Sequence, residues 1–315
     1  MELKSYMETM RLTEAEARAH LESIRWPSGP ACVHCGSVDV YRMEGKSTRP
    51  GLFKCRDCRR PFSVMVGTIF EDSHIPLAKW VAAFHIVCAS KKGVSALQLQ
   101  RMLDLGSYRS AWHMAHRIRH AMASEPLASM LSGIVEADET YVGGKPRHRG
   151  PHNKKHSGHG TKKTPVAALV QREGDVRTRA MKKVTGKNVR EMIDANVDKS
   201  RSTLMTDESL LYKSVGKEFA GGHGWTKHAL REDLKPGGIH SNTVESFFGI
   251  VKRSIMGSYH HVSCQHLPRY LSEREFMWNQ RRANDAERTV AALQATEGKR
   301  LSYRGLKAAK VAKPA

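Results

Sequence analysis

From Ile75 to Ser90 the chain reads IPLAKWVAAFHIVCAS, apolar residues at helical spacing, and then Lys91-Lys92-Gly93, cations and a glycine suited to a helix C-terminus. This pattern predicts a core helix, with Cys88 on it as a small buried hydrophobe; the isolated Cys264 is given the same role. Ser95-Ala-Leu-Gln98 then opens a short helix through Met102 and Leu103, Asp104-Leu-Gly106 turns the chain, and Ser110 is placed to cap a second helix. On that second helix Trp112, Ala115, Ile118 and Met122 recur at core spacing, while His113, His116, Arg117 and His120 fall largely on other faces. The pair forms a helix-turn-helix pattern, whose polar face is suited to a major groove; an ordinary helical hairpin is the alternative.

After Pro126 the pattern changes to short apolar runs punctuated by glycine: 133–144, then 165–170, then 176–184. These runs predict three strands, the last two joined by a hairpin at Glu173-Gly174-Asp175, where the glycine is available for a positive φ. Residues 187–199 carry a helical pattern through Val189, Met192, Ile193 and Val197, and 202–206 is strand-like, with Asp207 at its end. Three strands, a helix, a strand ending in Asp and a later helix bearing Glu245 fit an α/β class domain of RNase H-like fold, a mixed sheet with flanking helices.

Charge points to the partner. Lys plus Arg number 52 against 31 Asp plus Glu, a formal net charge of +21 spread along all 315 residues. Such an excess suits a polyanion, with binding that is steeply salt dependent; a basic ribosome-associated protein is the bland alternative. No segment approaches the roughly 20 apolar residues of a membrane span, and the amino terminus lacks a signal-peptide core, so no membrane partner and a cytoplasmic, nucleoid-associated location are expected. Residues 146–163, PRHRGPHNKKHSGHGTKK, have no apolar periodicity and read as a loop available for phosphate contacts.

Cys32-Val-His-Cys35 and Cys55-Arg-Asp-Cys58 are two CxxC pairs 19 residues apart, the spacing of a four-thiolate zinc site. Four thiolates leave no open position for water, so this Zn²⁺ is expected to be structural. Gly36 suits a tight knuckle, His34 is expected to be exposed, and Tyr41, Phe53 and Phe62 are expected to form a small core. Asp138, Asp207 and Glu245 are the candidate catalytic set. Phosphodiester cleavage and transfer use two hard cations about 4 Å apart. Mg²⁺, or Mn²⁺, favours carboxylates while keeping its waters. An aspartate inside the apolar run at 138 must be paired, metal bound or costly. Lys252 follows Glu245 by seven residues, nearly two helical turns, and with Arg253 is suited to gripping DNA phosphates. Arg117 and His113 are the corresponding DNA contacts expected upstream.

Asp138, Asp207 and Glu245 with Lys252, behind paired CxxC motifs, resemble the DDE transposases of bacterial insertion sequences, specifically the ISXO-like group with an amino-terminal zinc ribbon. The resemblance extends to Gly67-Thr-Ile-Phe70, Pro76-Leu77, Trp80, the 138–144 strand, Asn242-Thr-Val-Glu245, Gly257-Ser-Tyr-His260-His261, and the segments 267–271 and 276–281. It departs at Val33, where such knuckles commonly have proline, and in the basic 146–163 segment. The resemblance implies that the three acids hold Mg²⁺, that His260 or His261 accompanies them, and that the enzyme frees a 3′-OH at the ends of its element and drives it into target double-stranded DNA. It also implies a homo-oligomer in the active complex. The expected division is a helical segment (1–24), a zinc ribbon (25–70), a helix-turn-helix-like DNA-binding region (71–125), the RNase H-like catalytic domain (126–285) and a basic tail (286–315). Two rivals are a zinc-ribbon DNA-binding regulator without catalysis and a nuclease without strand transfer.

Overall fold

The computed structural model describes residues 6–123, 129–144, 163–226 and 239–308. All of the basic segment 146–163 except Lys163, and the Lys313-Pro-Ala end, lie outside them. The chain forms two compact units, one of residues 1–123 with 282–315 and one of residues 124–281. Among the described residues no helix is long and apolar enough to cross a membrane.

The first unit begins with α1 (Tyr6–Met10) and α2 (Glu14–Arg25). Thr13 starts α2 through a reciprocal capping box with Glu16, which satisfies two amide donors. Strands β1 (Val40–Arg42), β2 (Phe53–Cys55) and β3 (Pro61–Phe62) form a small antiparallel sheet in that order. Three helices follow: α3 (Leu77–Ala89), α4 (Ala96–Met102) and α5 (Tyr108–Ala121). Helix α3 is apolar on nearly every face and is buried from Leu77 to Cys88, apart from Ala78 and Lys79. Cys88 is in this core as expected, whereas Cys264 is exposed. Helix α5 is capped by Ser107, whose hydroxyl accepts from Ser110 N, so Ser110 lies inside the first turn instead of ahead of it.

The second unit is built on a five-stranded mixed sheet in the order β6-β5-β4-β7-β8. Its strands are β4 (Leu131–Val142), β5 (Thr164–Gln171), β6 (Val176–Ala180), β7 (Val197–Asp207) and β8 (His223–Thr226). Its helices are α6 (Gly186–Asn196), α7 (Lys213–Gly216), α8 (Asn242–Ser254) and α9 (Leu267–Asn279). Strands β4 and β5, and β5 and β6, are antiparallel; β4 with β7 and β7 with β8 are parallel. Side chains alternate across this sheet, so each face has its own core. On one face Val135, Ala137 and Leu169 pack with Val189, Met192 and Ile193 of α6 and with Tyr212. On the other, Val166, Ala168 and Val170 pack with Val244, Phe247, Phe248 and Val251 of α8 and Leu271 of α9.

Three details differ from expectation. The helix expected over 187–199 ends at Asn196, three residues earlier, because Val197 pairs with Leu131 and opens β7; a β-branched residue gains more from a sheet position than from another helical turn. In the β5–β6 hairpin the positive φ falls on Glu173, at 57°, and not on Gly174. At Gly174 a Cβ would lie 2.7 Å from the Gln171 side chain, which would have to move to admit one. Strand β8, which pairs with the end of β7, has no clear apolar signature and no counterpart among the expected strands.

After α9 the chain re-enters the first unit as α10 (Asp285–Gln294) and α11 (Tyr303–Ala308). The segment read as a basic tail at 286–315 is helical over α10 and packs within the first unit: Ala292, Leu293, Leu301 and Leu306 are buried, and Arg288 donates to the Cys88 carbonyl of α3 at 2.7 Å. Apolar positions at 292, 293, 301 and 306 anchor this segment despite its basic composition.

Candidate active site

Strand β4 carries the first acid. Glu136 pairs with Met205 across the parallel β4–β7 ladder, and two residues further along each strand stand Asp138 and Asp207. The same register therefore brings these two aspartates level, on one face of the sheet. Strand β7 ends there. Asp207 Oδ1 accepts from Ser209 N at 3.0 Å, turning the chain away and leaving the carboxylate at the strand's C-terminal edge.

Glu245 is in the first turn of α8, which packs on this face, and its side chain is exposed at the surface. Ser241 donates its hydroxyl to Glu245 Oε1 at 3.1 Å. The electrostatics join the three. Asp138 is pushed up to about 6, first by burial and then by the negative charges of Asp207 and Glu245, while the Glu139 N–H and the Lys252 cation act in the opposite sense. Lys252 and Arg253 are both exposed near the end of α8.

A carboxylate on the other sheet face was missed by the sequence reading. Glu139 is pushed up to about 7, chiefly by burial, with Asp138 and Asp207 adding to the shift and a hydrogen bond from Tyr212 opposing it. The signal available was the Asp138-Glu139 pair itself, two adjacent acids in an apolar strand.

The oxygen-only donor set of Asp138, Asp207 and Glu245 suits a hard divalent cation that retains waters. A half-buried aspartate facing two further carboxylates is also an arrangement that positive charge relieves. These residues therefore fit the group that the resemblance implies. His260 and His261 are exposed after a π-helical turn, Ile255–Tyr259. His260 has φ 58°, and its Nδ1 lies 3.1 Å from the Met256 carbonyl of its own turn. That turn is anchored by Tyr259, which donates to the buried Glu273 at 2.6 Å; Glu273 in turn pairs with Arg274.

In the first unit, the sulfurs of Cys32, Cys35, Cys55 and Cys58 come together with all ligand atoms within 4.8 Å of one another. Backbone N–H groups of His34 and Cys58 point at Cys32 and Cys55 sulfurs, and Gly36 takes the left-handed conformation of the knuckle at φ 78°. Four convergent sulfurs fit a tetrahedral structural zinc ion. Phe53 and Phe62 stack beneath the cluster as expected. Tyr41 is largely exposed, and its place is taken by Trp26, edge-on to both rings. His34 is exposed, with Nε2 near the Pro61 carbonyl.

The expected groove-facing set on α5 is corrected. Arg117 is buried, donating from Nε to the Leu301 carbonyl and from Nη2 to the Glu71 carbonyl, and His113 also meets Leu301. His116 is fully buried. Arg117 and His113 both tie α5 to the Leu301 carbonyl of the chain's last segment, which the helical pattern alone did not place. The exposed side of the helix pair is instead formed by Leu97, Arg101, Met102, Tyr108 and Arg109.

Comparison with known proteins gives a consistent result. The family described as an ISXO2-like transposase domain matches residues 130–279, and a transposase zinc-ribbon domain matches residues 12–61. A relative named "Uncharacterized protein in transposable element ISH50", from Halobacterium salinarum, is 30% identical over 253 residues, covering 77% of this chain and 83% of the relative. No solved structure matches.

Proposed function

We propose, from the premise that this chain belongs to the ISXO2-like transposase family, that it binds the ends of its element as double-stranded DNA and catalyses both strand cleavage and strand transfer there. The observation that carries this reading is the register that brings Asp138 level with Asp207 beside the helix of Glu245. Bound divalent cations, Mg²⁺ or Mn²⁺, would supply Lewis acidity and an activated oxygen nucleophile. Asp138, Asp207 and Glu245 are the residues that would hold them. Lys252 and Arg253 offer cations to phosphates alongside. His260 or His261 accompanies the acidic triad in this reading.

DNA arrives through other parts of the chain in this reading. The zinc ribbon and the exposed turn at Tyr108 and Arg109, which opens α5, form the recognition surface; the N-terminal residues of a second helix are the ones that meet base edges in a helix-turn-helix. Pairing two element ends requires at least a dimer in the active complex.

The test uses purified protein, Mg²⁺ or Mn²⁺, a labelled duplex of the element end and a target duplex. Nicked ends and joined products are expected. Cleavage with no joining would favour a nuclease, and undiminished cleavage by Asp138→Asn would remove this aspartate from the mechanism.

A further inference from the structure

Two residues before Asp138, on the same strand face, stands a carboxylate that the catalytic reading does not use. Glu136 is fully buried. Its Oε2 accepts from the backbone N–H groups of Thr243 at 2.8 Å and Val244 at 2.9 Å. Its Oε1 accepts from the Thr243 hydroxyl at 2.9 Å and from Arg172 Nε at 2.6 Å, and His240 Nδ1 lies 3.3 Å away. Arg172 also donates to the His240 carbonyl at 2.9 Å, closing a loop of contacts around the entry to α8.

The Thr243 and Val244 N–H groups are among those that a helix leaves unsatisfied in its first turn. A helix normally meets them with its own N-cap side chain. In α8 the N-cap Ser241 makes no such bond, and its hydroxyl turns to Glu245. A strand residue caps the helix from the sheet. The negative carboxylate also suits the positive end of the helix dipole.

We propose that Glu136 is the positioning residue of the catalytic carboxylates: by capping α8 from β4, it sets the place of Glu245 relative to Asp138. This rests on the assignment of those acids to a metal site. Glu136 and Asp138 are two residues apart on one strand, and Thr243 and Glu245 are two residues apart in one helical turn. Any slide or rotation of the first turn of α8 breaks bonds to Glu136 before it moves Glu245. Docking of the helix has a separate source, because Val244, Phe247, Phe248 and Val251 are buried against the sheet. Loss of Glu136 should thus leave α8 attached and its first turn misplaced.

Chemistry excludes glutamine as a substitute. Both Glu136 oxygens face donors, and an amide has only one acceptor oxygen, so either flip sets an NH₂ group against an N–H. Aspartate keeps the charge and both acceptors but is one methylene short.

The experiment measures Mn²⁺ binding to the full-length protein by calorimetry and electron paramagnetic resonance, with melting midpoint and zinc content alongside. Asp138→Asn identifies the carboxylate site; if it leaves Mn²⁺ binding intact, the metal reading fails and this inference with it. Glu136→Asp and Glu136→Gln are each expected to weaken the Asp138-dependent site about tenfold, as for other residues that orient metal ligands. Zinc content and metal-free duplex binding should not change. Glu136→Asp separates position from charge: affinity within twofold of the parent would overturn the proposal and reduce Glu136 to a source of negative potential. Should the Glu136 variants fail to fold, Arg172→Gln, which removes one arm of the clamp at a partly exposed side chain, is expected to weaken binding at least threefold, and unchanged affinity there would overturn it equally.

Discussion

The Tyr212 hydroxyl donates to Glu139 Oε1 at 2.7 Å, joining the turn that follows Asp207 to the strand residue that follows Asp138. Tyr212 is buried in the core and Glu139 has been lifted to about 7 by burial, so each is the other's main means of satisfying a polar group. Tyr212→Phe leaves the carboxyl without this donor, at an expected cost of about 1–3 kcal/mol. Glu139→Gln keeps an acceptor for the hydroxyl and removes the ionisable group, so it should cost less. Denaturant unfolding of both variants measures the difference, and equal losses would contradict the pairing.

The raised values of Asp138 and Glu139 give a pH dependence of defined sign. Both groups bind protons more tightly in the folded chain than unfolded, where carboxyls titrate near 4. Their stabilising contribution is therefore complete below about pH 4 and is lost as pH rises through about 6 and 7. Metal-free protein should lose melting temperature between pH 5.5 and 8 on the order of a few degrees through these groups. Mn²⁺ should oppose the loss, and its affinity should fall as pH drops below about 6, because protons compete for Asp138. Calorimetric scans across that range check both trends, and a Mn²⁺ affinity independent of pH would refute the assignment of Asp138 as a ligand.

Neutralising the triad separates chemistry from binding. Asp138→Asn, Asp207→Asn and Glu245→Gln are each expected to reduce strand cleavage about a thousandfold or more, some 4 kcal/mol of transition-state stabilisation. Affinity for duplex DNA without metal should persist. Asp138→Asn should in addition melt higher than the parent at pH 8, since it removes a desolvated charge. Gel-shift and single-turnover assays on the same preparations decide whether the two properties part.

Zinc removal should act locally. The ribbon core consists of little more than Phe53, Phe62 and Trp26 around the four cysteines, too small to hold without the ion. Cys55→Ser, or a strong chelator, is expected to abolish zinc binding and shift Trp26 fluorescence to the red. The α3 and β4 cores should retain a cooperative transition. One zinc retained per chain in Cys55→Ser would count against the four-thiolate site.

The corrected face of the helix pair makes the last prediction. Arg109→Ala should weaken duplex binding and reduce its salt dependence by about one ion. Arg117→Ala should instead lower the melting midpoint, because it removes the donor to the Leu301 and Glu71 carbonyls. The reverse pattern, DNA affinity lost at Arg117 with stability intact, would make Arg117 a DNA contact.

What the chain alone determined follows from local chemistry and short periods. Two CxxC pairs define a zinc knuckle without any long-range information, the alternating and helical runs from 133 onward mark strands and a helix near their observed bounds, and Asp138 stands out because an acid in an apolar strand demands a partner. Tertiary structure decided which faces are covered. The amphipathic pattern of α5 is compatible with a solvent-facing cation at Arg117, and only the return of the last segment buries it. Strand β8 exists because β7 offers it an edge, since its own sequence carries little strand signal. Glu136 belongs to the same class. Like Asp138 it is an acid in an apolar run and demands a partner, but nothing local says which, and its role arises from the first turn of α8 arriving more than 100 residues later with two N–H groups to satisfy. Hydrogen-bond demand at a helix end is a property of the helix, but the group that meets it is chosen by packing.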